Sequence, residues 1–249
     1  PLNEQDLKTM SEAVEVLRQF KGFSYFTEMS DIINRLEDHV ASARMKTTPV
    51  IDFEKNESLK GLDYLDTIYH AIVNEHPIQL KYRSFKARSA NSFIFYPYLL
   101  KEYRNRWFVY GVRGNGRILQ NLALDRIQSL EVLPQEHYIK NTFFDPNTFF
   151  NDLVGVTKNT GSVAEKVGFK VAAAEAPYII TKPIHRSQQV VERLADGSVI
   201  LEIKVVINHE LERVFFGYAE GIQVLYPKTL VELMGRKLKK AAEQYTHSK

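Results

Sequence analysis

The sequence predicts an α+β protein in three parts: N-terminal helices, a small five-stranded β-barrel of SH3 or Sm type, and a C-terminal ferredoxin-like α/β domain. Three observations predict it. Apolar residues recur at helical spacing early in the chain. The stretch from Asn105 to Gly114 is a strand pattern with two apolar faces. From Glu165 onward the elements follow the order strand, helix, strand, strand, helix, strand.

Composition bounds the rest. The chain has 249 residues, 44% of them hydrophobic, which is enough for two small cores. A formal charge of +3 is only mildly basic and does not by itself imply a nucleic-acid partner. The absence of cysteine excludes disulfides, thiolate nucleophiles and cysteine zinc ligands, and suits a reducing compartment. No apolar run approaches the roughly 20 residues that span a bilayer. The start, Pro-Leu-Asn-Glu, lacks an initiator Met and a signal pattern, so it reads as the interior of a longer chain.

Residues 1–58 read as a helical dimerisation and linker region. Asn3 caps a helix striped by Leu7, Met10, Val14 and Leu17. A second helix, from about Thr27 to Val40, carries Met29, Ile32, Ile33, Leu36 and Val40. A polar connector containing Pro49 follows.

Residues 59–134 read as the barrel. A helix from Leu59 to Glu75 is stopped by Pro77. From Ile78 to Phe85 the pattern alternates, with Ile78, Leu80 and Tyr82 facing in. Phe93 to Leu100 is a strand broken by Pro97, which belongs at an edge or bulge. In the third strand, Arg104 to Val112, the residues Trp107, Val109 and Gly111 point one way and Phe108, Tyr110 and Val112 the other. Gly114-Asn115-Gly116 turns the chain into strands at Ile118 to Leu124 and Ile127 to Leu133. Two apolar faces on so short a sheet argue for closure.

Arginines flank the aromatic strand, an arrangement that suits stacking on flat rings and pairing with anions. Trp107 reads either as a stacking surface or as core. Arg126, at a tight corner beside Asp125, reads either as a ligand contact or as a structural Arg–Asp partner.

Four spaced blocks resemble the WYL domain: Lys81-Tyr82-Arg83, Pro97 to Glu102, Arg106-Trp107-Phe108-Val109 and Leu124-Asp125-Arg126-Ile127. Of the naming Trp-Tyr-Leu triplet only Trp107 is identical. Phe108 lacks the tyrosine hydroxyl, and Tyr110 on the same strand face stands in for it. The resemblance covers Leu59 to Leu133 and continues into a WCX-like extension. It implies the effector-sensing and dimerising portion of a bacterial, cytoplasmic transcriptional regulator, with a nucleotide or nucleic-acid-like anion bound on the barrel. The implied ligand residues are Trp107 for stacking and Arg83 and Arg126 for anions. Lys81, Tyr96, Tyr110 and Arg113 complete the candidate surface. The implied partners are a second copy of the chain, a nucleotide or oligonucleotide effector, and DNA through a helix-turn-helix domain not visible in this chain. No cofactor, metal or membrane is implied.

Residues 135–164 form an aromatic linker, in which Phe143, Phe144, Phe149 and Phe150 are unsuited to full exposure. Residues 165–249 read as the ferredoxin-like domain, with strands at Val167 to Ala174, Gln188 to Leu194, Val199 to Ile207 and Ile222 to Tyr226. Its helices are Ala176 to Thr181, Glu210 to Tyr218 capped by Asn208, and a last one from about Lys228 to Tyr245. No histidine–acid cluster has metal spacing and no nucleophile elbow is present, so an enzyme is not expected. The alternatives are a direct single-stranded nucleic-acid binder and, less favoured, a phosphodiester-processing enzyme.

Overall fold

Pro77 and two apolar faces decide how the first sheet begins and how it is covered. In the computed structural model, residues 60–246 apart from 115 and 117 are described. The two N-terminal helices and the connector therefore lie outside the described residues, as does part of the turn at 114–116. The chain divides into two compact units between Phe143 and Phe144.

In the first unit, a 3-10 turn at Leu62–Tyr64 leads into helix α1, Leu65–Val73. Its buried residues Leu65, Ile68 and Ala71 recur every three positions and form one face. The helix ends at Asn74, and Pro77 starts β1, Ile78–Tyr82. Strands β2 (Asn91–Tyr103) and β3 (Arg106–Arg113) form a hairpin. Its two turn residues, Arg104 and Asn105, sit at φ +50° and +61°, the left-handed pair that a tight hairpin needs. β2 shifts register between Pro97 and Leu99. Pro97 therefore sits in a central strand but at a bulge, where no ladder donor is required. β4 (Leu119–Ala123), a 3-10 turn at Leu124–Arg126 and β5 (Ile127–Val132) complete the sheet.

The strand order is β4-β3-β2-β1-β5, all neighbours antiparallel. The barrel expected from the sequence does not close. No ladder joins β4 to β5, which are the two edges of an open sheet. Two apolar faces must be buried, and the structure buries them without closing the sheet. On one face α1 packs Leu65, Ile68 and Ala71 into a core with Ile78, Leu80, Phe95, Val109, Leu122, Leu124 and Ile127. Elsewhere the segment after β5 covers Tyr96 and Tyr98. The Tyr138 ring meets both edge-on at 6.1 Å, its hydroxyl donates to the Pro97 carbonyl, and Phe143 stacks on Tyr98.

The sheet is nevertheless strongly coiled. β4 and β5 lie at opposite edges, which in a flat sheet of five strands stand roughly 19 Å apart. Here a three-residue turn joins them, spanning about 6 Å at 3-10 rise. The edges must therefore converge at this one corner. Gly61 buttresses it from α1's side: its φ is +84°, and a Cβ there would lie 2.3 Å from the Leu124 carbonyl carbon.

The second unit runs β6 (Glu165–Val171), α2 (Ala176–Thr181), β7 (Gln189–Arg193), β8 (Val199–Val205), α3 (His209–Phe216), β9 (Ile222–Tyr226) and α4 (Lys228–Thr246). Its antiparallel sheet has the order β7-β8-β6-β9. Alternate residues Val167, Phe169 and Val171 of β6 and Val199, Leu201, Ile203 and Val205 of β8 face a core shared with Ile179, Leu211, Phe215, Leu230 and Met234. Asn208 caps α3 by accepting the Leu211 N–H at 2.9 Å. On the sheet's other face the Tyr226 ring lies over Gly168, where a Cβ would come within 2.1 Å of the ring, and its hydroxyl donates to Glu202 at 2.8 Å.

The protein is thus α+β with two antiparallel sheets. Among the described residues, no helix is long and apolar enough to cross a membrane.

Candidate functional site

The corner that brings the sheet edges together also builds a cleft. β1 leaves the sheet after Tyr82, where the pairing with β5 shifts between Lys81 and Tyr82. The Arg83 N–H then donates to the Arg126 carbonyl at 3.1 Å, and the Ala87 N–H to the Ser84 carbonyl at 3.0 Å, which turns the loop outward. Arg83, Ser84 and Phe85 from this loop face Asp125 to Gln128 from the corner across an open cleft of about 300 Å³.

Arg126 is the most constrained cation in the cleft. Its guanidinium carbon lies 4.5 Å from the centre of the Phe85 ring, a cation–π geometry. Burial raises the Tyr82 hydroxyl above its ordinary range, against the opposing pull of the Arg126 cation. Asp125 is the cleft's carboxylate. Its Oδ2 is 3.2 Å from Nε of Arg106, while its Oδ1 is 3.9 Å from Nε of Arg126. Arg106 starts β3 and does not line the cleft. Because Arg106 pairs with Asp125, the one carboxylate beside the two lining arginines is offset by a cation from outside the cleft. Phe85 is 73% exposed, so its ring is an aromatic surface open to an incoming molecule. Among the described residues, no group of three or more His, Cys, Asp or Glu is placed to hold a metal ion.

The structure brings Arg83 and Arg126 together and places the other sequence candidates elsewhere. Trp107 is half-buried and packs against the core that α1 covers. Lys81 is exposed in the middle of β1, opposite Ser92 and Ser129. Tyr96 is buried beneath Tyr138, and Tyr110 is 2% exposed. Arg113 ends β3 with its guanidinium 4.2 Å over Phe93. None of these five lines the cleft. The aromatic group that does is Phe85, expected from the sequence to end a strand. A signal for it was present: alternation from Ile78 puts Phe85 on the outward face with Lys81 and Arg83, the wrong side for a core phenylalanine.

Residues 63–132, which contain the whole cleft, match the WYL domain, and residues 164–242 match the WCX domain. The chain is a WYL- and WCX-domain protein. No curated protein matches it. Among solved structures, it is similar to proteasome accessory factor B/C (PafBC) of Arthrobacter aurescens, at 16% identity and a TM-score of 0.31, over 77% of this chain and 28% of that one. It is also similar to a CRISPR Cas-related protein, at 11% identity and a TM-score of 0.45, over 75% of this chain and 52% of that one. The chain thus spans no more than about half the length of either structure, and at these scores neither likeness carries further argument.

Proposed function

We propose that this WYL- and WCX-domain chain is the effector-sensing portion of a transcriptional regulator and that the cleft binds a nucleotide or short oligonucleotide. The observation that carries the reading is the meeting of Arg83, Arg126 and the exposed Phe85 ring in one open cleft. Two guanidinium groups suit a phosphate by paired, charge-assisted hydrogen bonds. A base stacked on Phe85 would contribute about 1–3 kcal/mol. The family membership supports the same assignment.

In this reading residues 59–134 sense the effector, residues 135–164 link them to the WCX-like domain at residues 165–249, and residues 1–58 serve dimerisation, in the cytoplasm. An effector then biases how the pair presents its DNA-reading domains, through its differential affinity for the two arrangements.

Isothermal titration of the chain with 5′-AMP and with 5′-phosphorylated deoxyadenylates of one to ten nucleotides tests this. Saturation by one nucleotide-sized ligand, abolished by Arg126→Ala with the circular dichroism spectrum retained, is the expected outcome. Unchanged affinity in Arg126→Ala removes Arg126 from the site. Affinity that grows steadily with length and falls steeply with salt instead identifies a direct single-strand binder.

A further inference from the structure

Asp125 stands between two guanidinium groups and lies closer to one of them. Its Oδ2 is paired with Arg106 at 3.2 Å. Its Oδ1 and the Nε of Arg126 are 3.9 Å apart, beyond hydrogen-bond distance, and both atoms are buried without a hydrogen-bond partner. Two buried polar atoms side by side without hydrogen-bond partners are an unfavourable arrangement. It persists because each group is held from elsewhere. Arg126 is held by the Phe85 ring. Asp125 is held by Arg106.

We propose that Arg106 is a positioning residue for the cleft: by engaging Asp125 it keeps that carboxylate from closing on Arg126, and so leaves the Arg126 guanidinium for an external anion. This rests on the reading of the cleft as an anion site. A closed carboxylate–guanidinium pair has a separation of about 2.8 Å, so an approach of roughly 1 Å suffices to close it. Once released from Arg106, Asp125 is a tethered competitor that no ligand concentration dilutes. Arg106 itself does not line the cleft, and its side chain is 46% exposed at the start of β3. Truncating it removes no core contact.

The test is titration of 5′-phosphorylated pentadeoxyadenylate into the full chain and into Arg106→Ala, Asp125→Ala and the double variant, with thermal melts of all four. Arg106→Ala is expected to weaken binding about tenfold, within the range that coupled neighbours show. The double variant is expected to return to within about threefold of the unsubstituted chain, because the competitor has gone. Asp125→Ala separates positioning from a simple loss of positive charge. Positioning leaves it within about threefold of the unsubstituted chain, since Asp125 is already held off Arg126, whereas simple charge makes it gain what Arg106→Ala loses. Undiminished binding by Arg106→Ala, failure of the double variant to recover, or a gain in Asp125→Ala matching that loss each overturns the proposal while leaving the anion site standing. Absence of binding by the unsubstituted chain overturns the anion site, and this proposal with it.

Discussion

Phe85 and His185 show how one side chain takes its role from its surroundings. Phe85 covers Arg126 yet remains 73% exposed, so its removal leaves the core untouched. Phe85→Ala is expected to weaken nucleotide binding by about 1–3 kcal/mol, the worth of one stacked base, with no fall in melting temperature; equal affinity would show that no base stacks there. His185 is 8% exposed. Its Nδ1 accepts the Ser187 N–H at 3.2 Å, and Ser187 Oγ in turn accepts the Lys204 N–H at 2.8 Å. That geometry requires an unprotonated Nδ1. Burial holds the His185 pKa below its ordinary 6.5, helped by the Arg186 charge and opposed by a hydrogen bond to the Asn151 backbone and by Asp152. The unfolded chain therefore takes up the proton first. His185 contributes its full stability above about pH 6.5, and that contribution falls as pH drops from there through the lowered folded value. Melting of the second unit between pH 7.5 and 5 should show this slope, and His185→Asn should flatten it. In the sequence, Arg126 stood out because a charge at a tight corner between apolar runs needs a partner, whereas Arg83 was pointed to through the resemblance to the WYL domain. Trp107 stayed open between two roles because an indole in a two-faced strand looks the same whether it serves a ligand or a core.

Among the elements, the strands of both sheets were legible nearly to their ends, since period-two alternation and prolines mark them directly. Closure was not. Whether two apolar faces are buried by curling the sheet or by covering it depends on α1 and on Tyr138 and Phe143, and nothing local in the strands reveals those long-range partners. The three-residue corner was also readable as a corner, but not as the place where opposite edges converge, because strand order is not written in alternation. Gly61 tests how tightly that corner is seated. Gly61→Ala puts a Cβ 2.3 Å from the Leu124 carbonyl carbon at a φ of +84°. It is expected to destabilise the first unit by about 2 kcal/mol or more, measured by urea unfolding; an unchanged midpoint would mean the corner is loosely held.

For the whole molecule, the two units carry separate cores, one centred on Phe95 and Leu80, the other on Phe169 and Leu201. Cooperative unfolding follows a shared core. Calorimetry is therefore expected to resolve two transitions, and Leu201→Ala, which empties a fully buried site, should lower only one of them, by about 2–5 kcal/mol. A single transition that moves as a whole would show the units to be coupled.

The corner turn has one more consequence. Its backbone is tied to the end of β1 by the Arg83–Arg126 hydrogen bond, and its carboxylate is tied to the start of β3 by Arg106. The same two residues that stitch the β1 side also line the cleft. A molecule grasping both guanidinium groups would therefore also cinch the seam, so that occupancy is transmitted as stiffness to the curl of the sheet without any hinge having to swing.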